Sequence, residues 1–373
     1  AALQASLDLS EGPLLRVAYV DFGVHRSGRL LMVIHHLAVD GVSWRILLED
    51  FQTAYQQLSQ GKSVRLPLKT TSFQYWASRL MPYAASEALQ QDLAYWLETP
   101  WGQTSRLPVD TPGGANTEAS AHCVQVLFSV AETRALLQEV LAVSRLEITD
   151  VLLTALAQAF AQWTGKPYLL LDLEGHGRED LFAEVDVSRT VGWFTTVYPV
   201  LLDLRETCEP GGALQSIKAQ LRRIPRRGIG YGLLRYLHEA ADGVKQLQAL
   251  PQAEVGFNYL GQVDHALPAS SPFGLTMEAV GPSRSLRGAR GHLLYITGVV
   301  VAGRLQLEWI YSANLYRRAT IEALAQDFLQ ALRSLIAHCQ SAAVPYTPSD
   351  FAAFGWSQGD LEAITTELGK LAG

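Results

Sequence analysis

Cysteine is scarce in this chain: three residues in 373 (Cys123, Cys208 and Cys339), odd in number and far apart. No disulfide framework or thiolate metal centre follows from that spacing, no metal site is expected, and a reducing cytoplasm suits it. Long apolar runs are missing too. The most apolar uncharged stretch, 151–165, carries Thr154, Gln158, Gln162 and Thr164, and it stops short of the about 18 residues that a membrane span needs. The start has neither a basic n-region nor an apolar h-region, so no export signal and no membrane are expected. Lys and Arg (30) are outnumbered by Asp and Glu (36), giving a net charge of −6, which argues against a dedicated nucleic-acid binder.

What the chain does have is apolar mass. Hydrophobic residues make up 48% and charged residues 18%, enough to offset the entropy of ordering the chain, so disorder is excluded for most of it. The length fits two ordinary domains or one large one. The chain opens on Ala1, without methionine, directly into structured-looking sequence, as expected of a piece of something longer.

Residues 14–22 and 30–34 are short β-branched or aromatic runs on either side of the turn-like Arg26-Ser27-Gly28, a predicted hairpin. Over 42–58 the apolar residues Trp44, Leu47, Leu48, Phe51 and Tyr55 take helical spacing. Further helices are predicted at 72–80 and at 86–97, the latter capped by Ser86. Residues 99–120, rich in proline, glycine and hydroxyls, form the best linker candidate. Beyond it, strands are predicted at 124–128, 168–173, 254–259, 292–301 and 304–311, and helices at 131–143, 148–163 and 320–338. The result is a mixed α/β chain in two halves.

Chemistry concentrates in a few segments. HHLAVDG (35–41) lies where a strand ends and a helix begins, so its imidazoles can be held by the strand while pointing into a cleft, with Gly41 allowing a tight turn. EGHGRE (174–179) puts a carboxylate at the end of the 168–173 strand, beside the glycines Gly175 and Gly177. RTVGWFT (189–195) supplies aromatics suited to a core or a cleft wall. RRIPRR (222–227) places four arginines in six residues, either a solvated face or a patch for a phosphate or an acidic partner. The GIGYG that follows lacks the dinucleotide-binding spacing. GFNYLGQ (256–262) sets Asn258 and Tyr259 side by side at a strand end, where either could donate to a developing oxyanion.

In this order HHLAVDGVSW, EGHGRE, SRTVGWFTTVYP, RRGIGYG and VGFNYLGQ resemble the epimerization domains of nonribosomal peptide synthetases, within the condensation-domain superfamily. A tail TPSDF (347–351) followed by a short helix resembles the end of such a domain. The resemblance implies a chloramphenicol-acetyltransferase-like α/β fold, with two similar lobes in a V and the active site in the tunnel between them. On that basis 1–104 is an N-terminal lobe lacking its own first part, since only 34 residues precede the motif; 105–345 is the C-terminal lobe, and 346–373 the tail.

The implied reaction is L-to-D inversion of the α-carbon of an aminoacyl or peptidyl thioester. No cofactor belongs to the chain itself: the 4′-phosphopantetheine arm is supplied by an upstream peptidyl carrier domain. A downstream condensation domain or docking partner is the other expected partner. By position His36 and Glu174 match the family's acid/base pair, and Asn258 and Tyr259 its further polar site residues. Asp40 matches the aspartate that holds the motif by ion pairing, with Arg189 the expected partner and His35 and Gly41 in support. Arg226, Arg227, Tyr231 and Trp193 are the candidates for substrate or carrier contact. The alternatives are a condensation domain, which shares HHxxxDG, and a catalytically silent carrier-docking module.

Overall fold

Alternation of buried and half-exposed residues, clearest along 168–174, 294–301 and 304–311, organises the larger part of the molecule. The computed structural model describes residues 2–341, apart from 142–145, 207–208, 239–241, 264–270, 275, 277, 279 and 282. The TPSDF tail, its helix and Cys208 therefore lie outside the described residues.

Strands β1 (Leu15–Val20) and β2 (Arg29–Ile34) form the predicted antiparallel hairpin, in register from Leu15 opposite Ile34 to Val20 opposite Arg29. Helix α1 (Gly41–Ser59) follows after a short 3-10 turn, then α2 (Phe73–Ala84) and α3 (Glu87–Glu98). The Oγ atoms of Ser72 and Ser86 accept the orphan N–H groups of Tyr75 and Leu89 at the starts of α2 and α3. Residues 99–120, the linker candidate, are packed in place. Trp101 is buried, with its indole N–H donating to the Trp96 carbonyl at 2.6 Å.

A six-stranded sheet follows, with β3 (Ala121–Leu127), β4 (Tyr168–Gly175), β5 (Thr196–Asp203), β6 (Val255–Gln262), β7 (Leu294–Val301) and β8 (Arg304–Ser312). Its spatial order is β3-β8-β7-β6-β4-β5, parallel only at β4/β6 and β6/β7. Helices α4 (Ile148–Thr164), α5 (Pro210–Arg222), α6 (Ile229–Tyr236) and α7 (Arg318–Ser341) belong to the same unit.

One sheet face is core. Leu294, Ile296, Leu305, Leu307 and Trp309 are wholly buried, and Trp309 packs between Phe160 of α4 and Phe328 of α7. Helix α4 is apolar almost all round, which is why it is buried along most of its length. The other face carries Asp172, Glu174, Asn258, Tyr295, Thr297 and Glu308, all half-exposed. That polar face is the floor of the site described below.

Two elements depart from the expected map. Strand β5 was not predicted, because Pro199 interrupts its pattern; it is tolerated there since β5 is an edge strand. The helix expected at 131–143 starts as an α-turn, Val130–Arg134, and widens into a π-turn over Ala135–Val140.

Candidate active site

Where β2 ends, the chain turns through a single 3-10 turn, His36–Ala38. The Nδ1 of His35 accepts the Leu37 N–H at 3.2 Å and fixes that turn. His36 is thereby left exposed, its ring edge-on to Trp193 with centroids 5.2 Å apart. Asp40 then caps α1, accepting the Ser43 N–H at 2.7 Å.

Asp40 is only 3% exposed, so its charge requires partners. They come from far along the chain. The Phe194 N–H donates at 3.1 Å, and Arg178 Nη2 lies 3.2 and 3.3 Å from the two carboxylate oxygens. Arg178 also donates to Ser43 Oγ and to the Val187 and Thr190 carbonyls, and its guanidinium stacks 4.0 Å over the Phe194 ring. Burial pulls the Arg178 guanidinium below the ordinary arginine range, with Asp40 opposing that shift. Gly177 makes the approach possible. It has φ of +66° and a β-carbon there would lie 1.7 Å from the Phe194 carbonyl oxygen.

This corrects two expectations. Arg189 is not the partner of Asp40; it reaches the outer flank of α1, pairing with Glu49 at 3.0 Å and Asp50 at 2.5 Å. Asp40 points inward from the helix start, toward the loop after β4, and the arginine of EGHGRE is the one within reach. Nor does Gly41 occupy a left-handed turn. It is the first residue of α1, and a β-carbon added there would meet nothing within 4 Å; its contribution is open space in the cavity.

Across the cavity stands the polar face of the sheet. Glu174, near the end of β4, accepts from Asn258 Nδ2 of β6 at 2.5 Å and from the Tyr295 hydroxyl of β7. Tyr295 is the site residue that sequence reading missed. It reaches Glu174 by lying across Gly256, its cross-strand neighbour, where a β-carbon would sit 2.5 Å from the tyrosine ring. Burial, and then the Glu174 charge, push the Tyr295 phenol up. Burial raises that of Tyr259 to about 12. Both phenols therefore hold their protons near neutral pH and are donors.

A cavity of about 740 Å³ separates these two walls. His36, Glu174, Asn258, Tyr259, Gly41 and Arg227 all line it. The arginine cluster, by contrast, is not an open positive patch. Arg222 pairs with the buried Asp150 at 2.9 Å, Arg226 with Asp92 at 2.9 Å, and Arg227 with Glu147 at 3.2 Å. Within the cluster only Arg227, 62% exposed, reaches the cavity rim. Tyr231 lies in the core against Trp96, its hydroxyl accepting from Arg235. It and Trp193 border a neighbouring cavity.

An imidazole on one wall and a hydrogen-bonded carboxylate on the other supply two acid–base groups to one cavity, with amide and phenol donors beside them. The fold and this site define a condensation-type, chloramphenicol-acetyltransferase-like domain. A model of the condensation domain matches residues 1–349, and the chain belongs to that family. It is 51% identical over 371 residues to one of the linear gramicidin synthase proteins of Brevibacillus parabrevis, covering 99% of this chain and 5% of that protein. Identity to tyrocidine synthase 1 of the same organism is 38% over 372 residues, 97% of this chain and 34% of the relative. The chain thus spans only a small part of these relatives. Among solved structures it is similar to the epimerization domain from the third module of tyrocidine synthetase B. The TM-score is 0.84 at 38% identity, over 91% of this chain and 75% of that one. The teicoplanin X-domain shares the fold alone, at 18% identity and a TM-score of 0.61 over 90% of this chain and 74% of that one.

Two outcomes follow from this geometry. Asp40→Ala strands the Arg178 charge in the interior and should cost about 3–5 kcal/mol, whereas Arg189→Ala should cost about 1 kcal/mol or less. Urea unfolding separates them, and equal losses would put Arg178 out of its assigned role. Gly256→Ala should destabilise by about 1–3 kcal/mol through overpacking. In a double-mutant cycle Tyr295→Ala should remove most of that loss, and strict additivity would show that the two residues do not press on each other.

Proposed function

We propose that this domain inverts the α-carbon of an aminoacyl or peptidyl thioester, from L toward D, while the substrate hangs on the phosphopantetheine arm of a peptidyl carrier domain in nonribosomal peptide synthesis. The observation that carries this reading is the pairing of walls: His36 on one side of the cavity, and Glu174 clamped by Asn258 and Tyr295 on the other. The 38% identity to an epimerization domain, over most of both chains, supports it.

The chemistry balances without an oxidant or a metal. One of the two groups takes the α-proton, and the electron pair left behind delocalises onto the thioester oxygen as an enolate. The other returns a proton to the opposite face, and the C–H bond re-forms with inverted configuration. General acid–base help of this kind contributes roughly 10²- to 10⁴-fold. A donor to the enolate oxygen adds about 3 kcal/mol; Asn258 shares the sheet face of Glu174, whereas the ring of Tyr259, the other expected donor, packs on the apolar side beside Gly298. Glu174 accepts two hydrogen bonds, so its oxygens are aimed before substrate arrives and need no reorganisation during the reaction. His36 is held by a three-residue turn with its ring against Trp193, which restricts its rotation. Arg227 at the rim suits the phosphodiester of the arm, an anion that a guanidinium binds well.

With a loaded carrier in D₂O, the wild-type domain should wash deuterium into the α-position and yield D-product. Glu174→Gln should remove at least about 99% of that exchange, the loss expected when a general acid–base group is disabled, with little change in Tm. Wild-type exchange in that variant would take Glu174 out of the mechanism. Peptide-bond formation between two loaded carriers, with no α-exchange, would favour condensation instead. Arg227→Ala should raise the apparent KM for the carrier-bound substrate about tenfold, as expected for one charge-assisted contact, with kcat little changed; an unchanged KM would return Arg227 to a structural role.

A further inference from the structure

The sheet face that bears Glu174 continues past it. Asp172 is two residues earlier on β4 and points to the same side, about 6.8 Å back along the strand. It sits in a second cavity, of about 620 Å³, that abuts the first: Thr195 lines both. The walls are apolar and aromatic, from Phe73 and Trp76 of α2, Trp193, and Tyr231 and Tyr236 of α6. At its floor His292 Nε2 lies 2.8 Å from Asp172 Oδ2, and both side chains remain about a quarter exposed, at 22% and 27%. An apolar enclosure of this size with one convergent polar pair has the form of a ligand site. None of the reaction steps above uses it.

We propose that this second cavity receives the peptide portion of the carrier-bound substrate, so that the domain acts on a peptidyl rather than an aminoacyl thioester. The inference rests on the epimerase reading and adds its substrate class. An extended chain advances about 3.4 Å per residue. With the reacting α-carbon beside Glu174, the Asp172–His292 pair therefore meets the backbone about two residues back. The pair offers acceptors for peptide N–H groups: the carboxylate of Asp172, and the Nδ1 of an imidazole whose Nε2–H is turned to that carboxylate. The carrier arm fits this cavity poorly. The guanidinium of Arg235, which lines it, is engaged by the Tyr231 hydroxyl and the Leu247 carbonyl, and Asp172 would repel a phosphodiester.

Gly232 of α6 gives a clean test. It lines the cavity, and a β-carbon added there would meet nothing within 4 Å, so a larger side chain projects into the space without displacing the core. The wild-type domain should process a tripeptidyl-carrier at least about tenfold better in kcat/KM than an aminoacyl-carrier, the scale of discrimination that one filled pocket supplies. Gly232→Phe should bring that ratio close to one, Gly232→Ala should lower it partway, and Asp172→Asn should lower it through KM. Calorimetry with a tripeptidyl-pantetheine amide and an aminoacyl-pantetheine amide provides a readout independent of turnover. A ratio near one in the wild type, or one untouched by Gly232→Phe, overturns the proposal while leaving the epimerase reading standing. Absence of α-exchange with either substrate sinks that reading. If the tripeptidyl amide then still binds at least about tenfold tighter, and Gly232→Phe abolishes the difference, the peptide site survives on its own.

Discussion

The carboxylate of Asp40 is the constraint on which the site depends. It closes the start of α1 through Ser43, ties down the loop before β5 through the Phe194 N–H, and holds Arg178 from the loop after β4. Burying such an ion pair costs several kcal/mol per ion unless the geometry is good and the remaining donors are satisfied. Arg178 meets most of that demand with two backbone carbonyls, a serine hydroxyl and an aromatic face besides the carboxylate, while its buried Nε–H has no hydrogen-bond partner among the described residues. The pair is thus a locking device more than a source of stability. It fixes the segment carrying His36 against the segment carrying Glu174, two groups that no strand pairing joins among the described residues. Other contacts join the same walls, the Ser43 hydroxyl with the Gly192 backbone and Arg189 with Glu49 and Asp50, but this pair acts at the motif itself, where reacting groups must be placed closely.

On the sheet side the precision comes from regular structure. Glu174, Asn258 and Tyr295 belong to three strands and share one face because side chains alternate along each. Parallel pairing of β4 with β6 and of β6 with β7 brings those faces into line. The missing side chain at Gly256 then lets the ring of Tyr295 lie across the intervening strand and reach the carboxylate. A polar face on a sheet whose reverse is fully apolar is the natural place for an active site. The charged groups stay solvated or hydrogen-bonded, while the core behind them holds the strands rigid.

Much of this was legible in the sequence, for reasons that also mark the limits. The hairpin, α1, α4, β7 and β8 announce themselves through local periodicity, and the four expected catalytic residues do meet at one cavity. What escaped depends on partners distant in sequence. Arg178 and Arg189 lie eleven positions apart in one polar stretch, and only the direction in which the chain leaves β4 decides which of them faces Asp40. Tyr295 sits in an ordinary alternating strand, where a tyrosine reads as a packing residue. Its role appears once Gly256 is seen to be its cross-strand neighbour. The arginine cluster misled because its carboxylate partners, Asp92, Glu147 and Asp150, come from other parts of the chain.

That cluster also shows how the backbone assigns different tasks to adjacent residues of one type. Arg226 and Arg227 both adopt left-handed conformations, with φ of 47° and 52°. Each such residue costs about 1–2 kcal/mol for a side chain bearing a β-carbon, and strain of this kind persists where surrounding contacts over-determine it. The contacts are present: Arg226 reaches back to Asp92 and the Ala88 carbonyl of α3, while Arg227 turns the other way to Glu147 and the cavity. Helix α5 has already ended at this point, since Ile224 is extended and Pro225 follows it. The left-handed pair lies between that end and Gly228, which opens α6 with φ of 82°, anchoring one guanidinium to the scaffold and presenting the next to whatever enters the site.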